Sequence, residues 1–123
     1  MRVFDEAATL AAVERFNEAF NRHDVEAVMC AMTDDCVFES TSPPSGTRFE
    51  GADGVRAAWT EFFTANPTAH FESEETIVTG DRAVVRWRYT WLDDDGLVAA
   101  VRGVDVMTVR DGRVAEKLAY VKG

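Results

Sequence analysis

Residues 101–121, VRGVDVMTVRDGRVAEKLAYV, are the stretch of sequence that decides the fold. Two valine-rich runs flank Asp111-Gly112, a pair typical of a hairpin turn, so the stretch predicts two antiparallel strands. Asp105 lies inside the first run and Lys117 inside the second. Because solvated charges gather at strand ends and turns, a carboxylate between two valines indicates either a lined pocket or a buried ion pair.

The register of this hairpin decides which face of the sheet each charge occupies, and the sequence leaves two registers open. With a two-residue turn at Asp111-Gly112, Asp105 lies opposite Leu118, and Lys117 falls on the other face. With a three-residue loop that begins at Arg110, Asp105 lies directly opposite Lys117. A slip of one residue turns every side chain of the second strand to the opposite face. We favour the three-residue loop because it groups small and apolar residues around one charge pair, as in a ligand-sized hollow: Gly103, Asp105, Met107, Ala115, Lys117 and Ala119.

The rest of the chain predicts helices first and then a sheet. Asp5, Asp24 and Asp53 each precede an apolar pattern of helical period and are the expected N-caps of three helices. Residues 36–40 are typical of a short strand, and residues 41–51, rich in proline and glycine, of a loop. Alternating runs at 69–79, 83–92, 97–109 and 113–121 predict an antiparallel meander. The fold class is therefore α+β, in one domain spanning residues 1–123.

Residues 83–92 alternate aromatic and basic side chains. Trp87, Tyr89 and Trp91 alternate with Arg86 and Arg88, so a period of two puts the aromatic rings on one face and the arginines on the other. Aromatic side chains suit either a core or a subunit interface. The sequence therefore leaves open which face of this strand is inside.

Composition and charge exclude several classes of function. The formal net charge is -9, so we expect neither nucleic-acid nor membrane binding. The two cysteines, Cys30 and Cys36, are too few for a disulfide scaffold and have no metal-ligand spacing with His23 or His70. No nucleotide-binding motif is present either, so we expect no metal and no cofactor. The first ten residues lack a signal-peptide pattern, and no run approaches the ~20 apolar residues of a membrane span, which favours a cytoplasmic protein.

Three stretches resemble the nuclear transport factor 2-like superfamily, and within it the SnoaL-like polyketide cyclases and ketosteroid isomerases. They are FNEAFNRHDVEAVMCAMTDDCV at residues 16–37, Phe49-Glu50-Gly51 before the third helix, and RGVDV at 102–106 running to DGRV at 111–114. The resemblance covers nearly the whole chain, 1–123. It implies a cone-shaped, curved antiparallel sheet wrapped by three N-terminal helices around an open apolar pocket. It also implies a homodimer through the outer face of the sheet, with Trp87, Tyr89 and Trp91 at the interface.

Residues of this sequence match only part of the ketosteroid isomerase site. Those enzymes use an aspartate base, with a tyrosine and a neutral aspartic acid that hold the developing oxyanion. Asp105 matches the neutral aspartic acid, but Ser40 stands at the base position and Phe16 at the tyrosine position. Isomerisation by that mechanism is therefore not expected. Glu39 would replace the base if the strand register shifted by one residue, and Arg86 would supply part of the Asp-Arg-Asp set of related epoxide hydrolases.

The sequence thus predicts a cofactor-free pocket protein that binds a small apolar or polyketide-like molecule. The candidate catalytic residues are Asp105 as acid–base group, Lys117 to orient it or to stabilise an enolate, and Glu39. The expected pocket lining is Phe16, Phe20, Met29, Ser40, Trp59, Phe62, Phe63, Arg86 and Met107. Two classes of function stay open. One is a proton-transfer enzyme (isomerase, cyclase or dehydratase), and the other is a non-catalytic ligand-binding or interaction module with Asp105 and Lys117 as a structural pair.

Overall fold

Three helices and six strands make up the part of the chain that a computed structural model describes, residues 5–123. Residues 1–4, which open the segment considered above for a signal peptide, lie outside it. The helices are α1 (Glu6–Asn21), α2 (Val25–Cys30) and α3 (Gly51–Ala65). The strands are β1 (Met32–Glu39), β2 (Arg48–Glu50), β3 (His70–Thr79), β4 (Arg82–Leu92), β5 (Val98–Arg110) and β6 (Arg113–Val121). Within residues 5–123, no helix combines the length and the apolar character needed to cross a membrane.

The six strands form a curved, unclosed sheet in the order β2-β1-β6-β5-β4-β3. β3 to β6 are the antiparallel meander that the sequence predicts. β1 pairs in parallel with β6, so the sheet is mixed rather than wholly antiparallel. β2 falls inside the predicted loop at 41–51 and extends the sheet as an antiparallel partner of β1. The predicted α+β class is confirmed, with one strand that the sequence missed.

Two of the three predicted helix caps are present. The carboxylates of Asp5 and Asp24 each accept a hydrogen bond from a backbone N–H in the first turn of α1 and α2. Each therefore pairs a donor that has no partner inside its helix. α3 begins earlier than expected, with Glu50 at the N-cap and Asp53 inside the first turn. There the charge of Asp53 complements the helix dipole without capping a backbone donor.

The hairpin of β5 and β6 follows neither of the two registers considered. Arg110 pairs with Arg113, so the turn is the two-residue one. Asp111 and Gly112 have φ values of 54° and 75°, as a type I′ turn requires at both central positions. A bulge next to Ala115 then inserts one more residue into β6 and moves the register again.

Because of the bulge, the side chains of Asp105 and Lys117 lie on the same face of the sheet. Asp105 lies opposite Ala119, and Lys117 lies opposite Met107. The three-residue loop that the sequence favoured is wrong, and so is the direct Asp105–Lys117 pairing. The two side chains are instead diagonal neighbours on adjacent strands, a separation that a long lysine side chain can bridge.

The helices cover the face of the sheet that carries the aromatic side chains of β4. Val85 lies opposite Asp105, and Trp87 lies opposite Gly103, so these residues share the inner face. The expected placement of Trp87, Tyr89 and Trp91 at an outer interface is wrong, because Trp87 is only 5% exposed and all three line an inner cavity. The arginines of β4 lie on the outer face instead, where Arg86 pairs with Glu75 of β3.

Gly103 on β5 leaves room on the inner face of the sheet for the ring of Trp87, which lies opposite it on β4. A Cβ atom at this position would overlap the carbonyl oxygen of Tyr120 and lie 2.5 Å from Cη2 of Trp87. The indole therefore occupies the space that a side chain on β5 would fill. This packing fixes the position of Trp87 on the inner face.

Gly103→Ala is expected to lower the free energy of unfolding by about 1–3 kcal/mol, because the added methyl group overlaps backbone that the β5–β6 pairing holds in place. Gly54→Ala in α3 is the matched control, since nothing lies within 4 Å of a Cβ atom there. That substitution should stabilise the fold by about 0.5–1 kcal/mol. Urea denaturation measures both, and effects of the same sign would contradict the packing described for Gly103.

Candidate functional site

A cavity of about 440 Å³ opens between α3 and the inner face of the sheet. Hydroxyl side chains of Ser40, Thr41, Ser42 and Thr47 line one side of it. Most of the remaining wall is aromatic and consists of Phe20, Phe38, Phe49, Trp59, Phe62, Phe71, Trp87, Tyr89 and Trp91. Volume and lining are those of a site for a small, mainly apolar organic molecule with a few polar groups.

Asp105 and Lys117 form a buried ion pair in the wall of this cavity. The residues are 4% and 5% exposed, and Lys117 Nζ lies 3.6 Å from Asp105 Oδ2. That distance is beyond ordinary hydrogen-bond length, so the contact is electrostatic rather than a well-formed hydrogen bond. β5 supplies the carboxyl group and β6 the ammonium, and the bulge in β6 sets their separation.

Aromatic rings surround the ammonium group of Lys117. Its Nζ lies 4.5 Å from the ring centroid of Phe20 and 5.1 Å from that of Trp59. The rings of Phe16, Phe38 and Phe71 follow at 5.3, 5.6 and 5.8 Å. Ring faces attract a cation, by ~2 kcal/mol or more where water is excluded. The rings therefore offset part of the energy lost when Lys117 leaves water.

Burial acts on the two charged groups in opposite directions. It raises the pKa of the Asp105 carboxyl above its usual range, against the opposing charge of Lys117. It lowers the pKa of the Lys117 ammonium, against the opposing charge of Asp105. Both shifts favour the neutral acid and the neutral amine, because charged forms lose their hydration in a low-dielectric site. Burial therefore works against the charged forms of this pair, and the attraction between the two opposite charges works for them.

Three buried polar atoms of the cavity wall have no hydrogen-bond partner among the described residues. They are Oδ1 of Asp105 and the indole Nε1 atoms of Trp59 and Trp87. A buried polar group without a partner is unfavourable by about 1–3 kcal/mol. Trp87 nevertheless interacts with the Asp105 carboxyl and lowers its pKa, so two of these three atoms belong to the polar cluster around the ion pair.

The structure divides the predicted pocket residues into two groups. Phe20, Ser40, Trp59 and Phe62 line the cavity together with Asp105 and Lys117. Four others, Phe16, Met29, Phe63 and Met107, are buried in the core and are not part of the cavity wall. The three helical residues were expected there because helical periodicity identifies a buried face and does not distinguish packed core from a cavity. Met107 was expected there because it shares a face of β5 with Asp105. Phe16 still acts on the site, through its ring beside Lys117.

Glu39 and Arg86 do not line this cavity, so the structure does not bring them together with Asp105 and Lys117. Phe38 lines the cavity, so the alternation of β1 turns its neighbour Glu39 to the outer face. The register shift that would have brought Glu39 inward does not occur. Arg86 is turned outward next to the inward Trp87 and forms an exposed ion pair with Glu75 at 3.1 Å.

Aromatic residues from several strands are the part of the site that the sequence analysis missed. Trp87, Tyr89 and Trp91 were recognised as one face, but that face was assigned to an interface. Phe38 lies in β1, before the 41–51 segment, and Phe49 lies near the end of that segment; their rings stack with centroids 5.8 Å apart. The unexpected strand β2 brings Phe49 there, so only its pairing with β1 would have revealed the contact.

Within residues 5–123, no three His, Cys, Asp or Glu side chains are grouped so as to hold a metal ion.

Removing one charge of the buried pair should destabilise the fold more than removing both. Asp105→Asn or Lys117→Met leaves a buried charge without its partner, and the expected loss is about 3–5 kcal/mol near neutral pH. The double variant Asp105→Leu, Lys117→Met should fall close to the wild type. Glu75→Gln, which breaks the exposed pair with Arg86, is the control and should change stability by no more than about 1 kcal/mol.

The two single variants should also respond oppositely to pH. In Asp105→Asn, burial holds the pKa of Lys117 below 10.5, so the folded chain binds fewer protons than the unfolded chain. Its stability therefore rises as the pH increases towards that value. In Lys117→Met, the pKa of Asp105 lies above 3.8, the folded chain binds more protons, and stability falls as the pH rises from there. Urea denaturation across the pH range measures both slopes, and parallel slopes would refute the burial of the two charged groups.

Known proteins share this fold. A nuclear transport factor 2-like protein of unknown function from Mesorhizobium loti is 41% identical, and the match covers 96% of this chain and 93% of that one with a TM-score of 0.81. A candidate SnoaL-like polyketide cyclase from Jannaschia sp. CCS1 is 22% identical over 99% of this chain and 90% of that one, with a TM-score of 0.83. A candidate ketosteroid isomerase from Kribbella flavida is 19% identical over 98% and 82%, with a TM-score of 0.81.

The last two of these likenesses concern the fold alone. No curated protein matches the chain. The SnoaL-like domain matches residues 13–117. The resemblance found in the sequence is therefore confirmed, and the chain belongs to the SnoaL-like domain family.

Proposed function

We propose that this protein binds a small, mainly apolar molecule of polyketide or steroid type and catalyses a proton transfer on it without a cofactor. The observation that carries the proposal is the buried Asp105–Lys117 pair in the wall of an open aromatic cavity of about 440 Å³. Catalytic groups need pKa values shifted towards neutrality, and burial in a water-poor site shifts the pKa values of Asp105 and Lys117 in that direction.

Each group of the cavity wall has a part in the proposed reaction. The aromatic rings hold the flat apolar body of the ligand, and the hydroxyl groups of Ser40, Ser42 and Thr47 at one side of the cavity form hydrogen bonds with its oxygens. Asp105 takes a proton from the carbon beside a carbonyl group and returns it to another atom of the ligand. The ammonium of Lys117 stabilises the enolate oxygen formed in between. Isomerisation, cyclisation and dehydration all share this enolate step.

Ligand binding should be visible through the protein's own fluorescence. All three tryptophans of the sequence, Trp59, Trp87 and Trp91, line the cavity. Titration with 2-tetralone, a flat bicyclic ketone, should therefore change tryptophan emission in a saturable way. Ala58→Phe, which fills the cavity from α3, should weaken binding at least about tenfold. The matched control Ala57→Phe, on the exposed side of the same helix, should bind like the wild type.

The same ligand reports catalysis through hydrogen exchange at the carbon beside its carbonyl group. The protein should accelerate deuterium incorporation, measured by NMR, and Asp105→Asn should lose about 10²–10⁴-fold of that acceleration. Binding by Asp105→Asn, checked by fluorescence, should persist. Saturable binding with no acceleration of exchange would instead identify a ligand-binding protein without catalysis, the second class of function that the sequence leaves open.

We also propose that two copies associate through the outer face of the sheet. That face exposes about half of Ile77 and Tyr120. Half-buried apolar side chains lie between them, namely Val84, Val104, Val106 and Leu118. Light scattering after size exclusion should give twice the mass of the 13.7 kDa chain. Val104→Glu should give a monomer while Ala57→Glu stays dimeric, and a monomeric wild type would overturn this proposal.

A further inference from the structure

Lys117 is a primary amine inside an aromatic cavity, and its chemistry is not limited to holding a charge. Its ammonium group contacts one carboxylate, at 3.6 Å, and otherwise faces aromatic rings. The loose contact leaves the amine free to approach a ligand in the cavity that it lines.

We propose that Lys117 forms an imine with an aldehyde or ketone group of the bound ligand. This inference rests on the proposed function, since the ligand must occupy the same cavity. It adds a substrate class, carbonyl compounds, and a covalent step to proton transfer. Amines desolvated in apolar pockets are the lysines that act as nucleophiles in this way.

Asp105 and Lys117 together supply every proton that the step requires. The neutral amine attacks the carbonyl carbon, a C–N bond forms, and the carbonyl oxygen takes the proton of the Asp105 carboxyl. The nitrogen then returns one proton to Asp105, which leaves a neutral carbinolamine. Asp105 next protonates the hydroxyl group, the C–O bond breaks, and water leaves. The products are a protonated imine on Lys117, the Asp105 carboxylate beside it and one water, so atoms and charges balance.

The surroundings favour this product over the free reactants. Burial lowers the pKa of Lys117, so a larger fraction of its amine is unprotonated than for a solvated lysine. The protonated imine keeps the positive charge within the rings of Phe20 and Trp59 and next to Asp105. The same rings exclude the water that would hydrolyse the imine. A carbonyl ligand held this way has a more acidic neighbouring C–H bond, which is the bond that Asp105 breaks in the proposed reaction.

Reductive trapping tests the imine directly, and the sequence provides its own internal control. Lys117 and Lys122 are the lysines of the chain, and Lys122 is exposed near the end of β6. The protein is incubated with 2-naphthaldehyde and sodium cyanoborohydride at pH 7, and the labelled residue is located by peptide mass spectrometry. Lys117 should be modified at least about tenfold faster than Lys122. Labelling of Lys122 or the amino terminus with Lys117 unmodified would overturn the proposal.

Variants separate a specific site from general amine reactivity. Lys122→Arg should keep the rapid adduct, and Lys117→Arg should lose it. Ala58→Phe should slow labelling of Lys117 while that of Lys122 stays unchanged, because only the cavity is blocked. Should Lys117→Arg fail to fold, the ratio of Lys117 to Lys122 labelling in the wild type still decides the question.

An alcohol analogue distinguishes failure of the imine from failure of the proposed function. 2-Naphthalenemethanol has the same ring system and no carbonyl group, so it should bind, change tryptophan fluorescence and protect Lys117 from the aldehyde. Binding of the alcohol without trapping of the aldehyde would remove the imine and leave the pocket function standing. Absence of binding by both compounds would remove both proposals.

Discussion

The buried contact between Asp105 and Lys117 is the interaction on which the rest of this molecule depends. Two charges taken out of water lose several kcal/mol of hydration each, and their attraction restores it only where the geometry and the surroundings are favourable. Here the carboxyl group comes from β5, the ammonium from β6, and aromatic rings from α1, α3, β1 and β3 surround the cation. The cavity, its aromatic wall and its candidate chemistry all follow from where this pair sits.

Two local irregularities of the sheet make that position possible. The bulge near Ala115 shifts β6 so that Lys117 points inward beside Asp105. Gly103 leaves room for Trp87, whose ring occupies the place of a side chain on β5. A regular hairpin with a side chain at position 103 would turn the lysine outward and displace the indole. The site therefore depends on departures from ideal strand geometry as much as on the identity of the charged residues.

The sequence predicts the elements of this fold better than the details of its site. Strong periodicity and Asp caps locate the helices, and Asp-Gly turns locate the hairpins, because these signals are local. No residue in 113–121 reveals the bulge through the apolar pattern. For that reason neither of the two registers considered was right. The face of β4 was undetermined for a physical reason, since rings suit an interface and a cavity wall equally.

Core and cavity are also indistinguishable in a sequence. Phe16 and Phe20 lie on one face of α1, yet Phe20 lines the cavity and Phe16 is buried below it. Both satisfy the same helical periodicity, and only the position of α3 against the sheet separates them. Glu39 was a candidate base only if the register of β1 shifted by one residue, and the pairing of β1 with β2 and β6 shows its actual register. Long-range pairing thus decides what local patterns cannot.

Because the chain departs from the ketosteroid isomerase pattern at Phe16 and Ser40, the proposed chemistry depends mainly on Lys117. Phe16 stands where the resemblance places a tyrosine, so the hydroxyl donor of that site is absent, but its ring lies 5.3 Å from Lys117 Nζ. Ser40 stands at the base position and forms hydrogen bonds with Ser42 and Thr47 at the cavity rim. In the proposed reaction an ammonium group supported by rings therefore takes the place of a phenol as the group that stabilises an oxyanion. When its amine is neutral, Lys117 is also a nucleophile. The presence of Phe16 in place of a tyrosine does not by itself supply a nucleophile. A buried amine in a cavity wall without a tyrosine hydroxyl at position 16 thus supports the proposal of a carbonyl ligand.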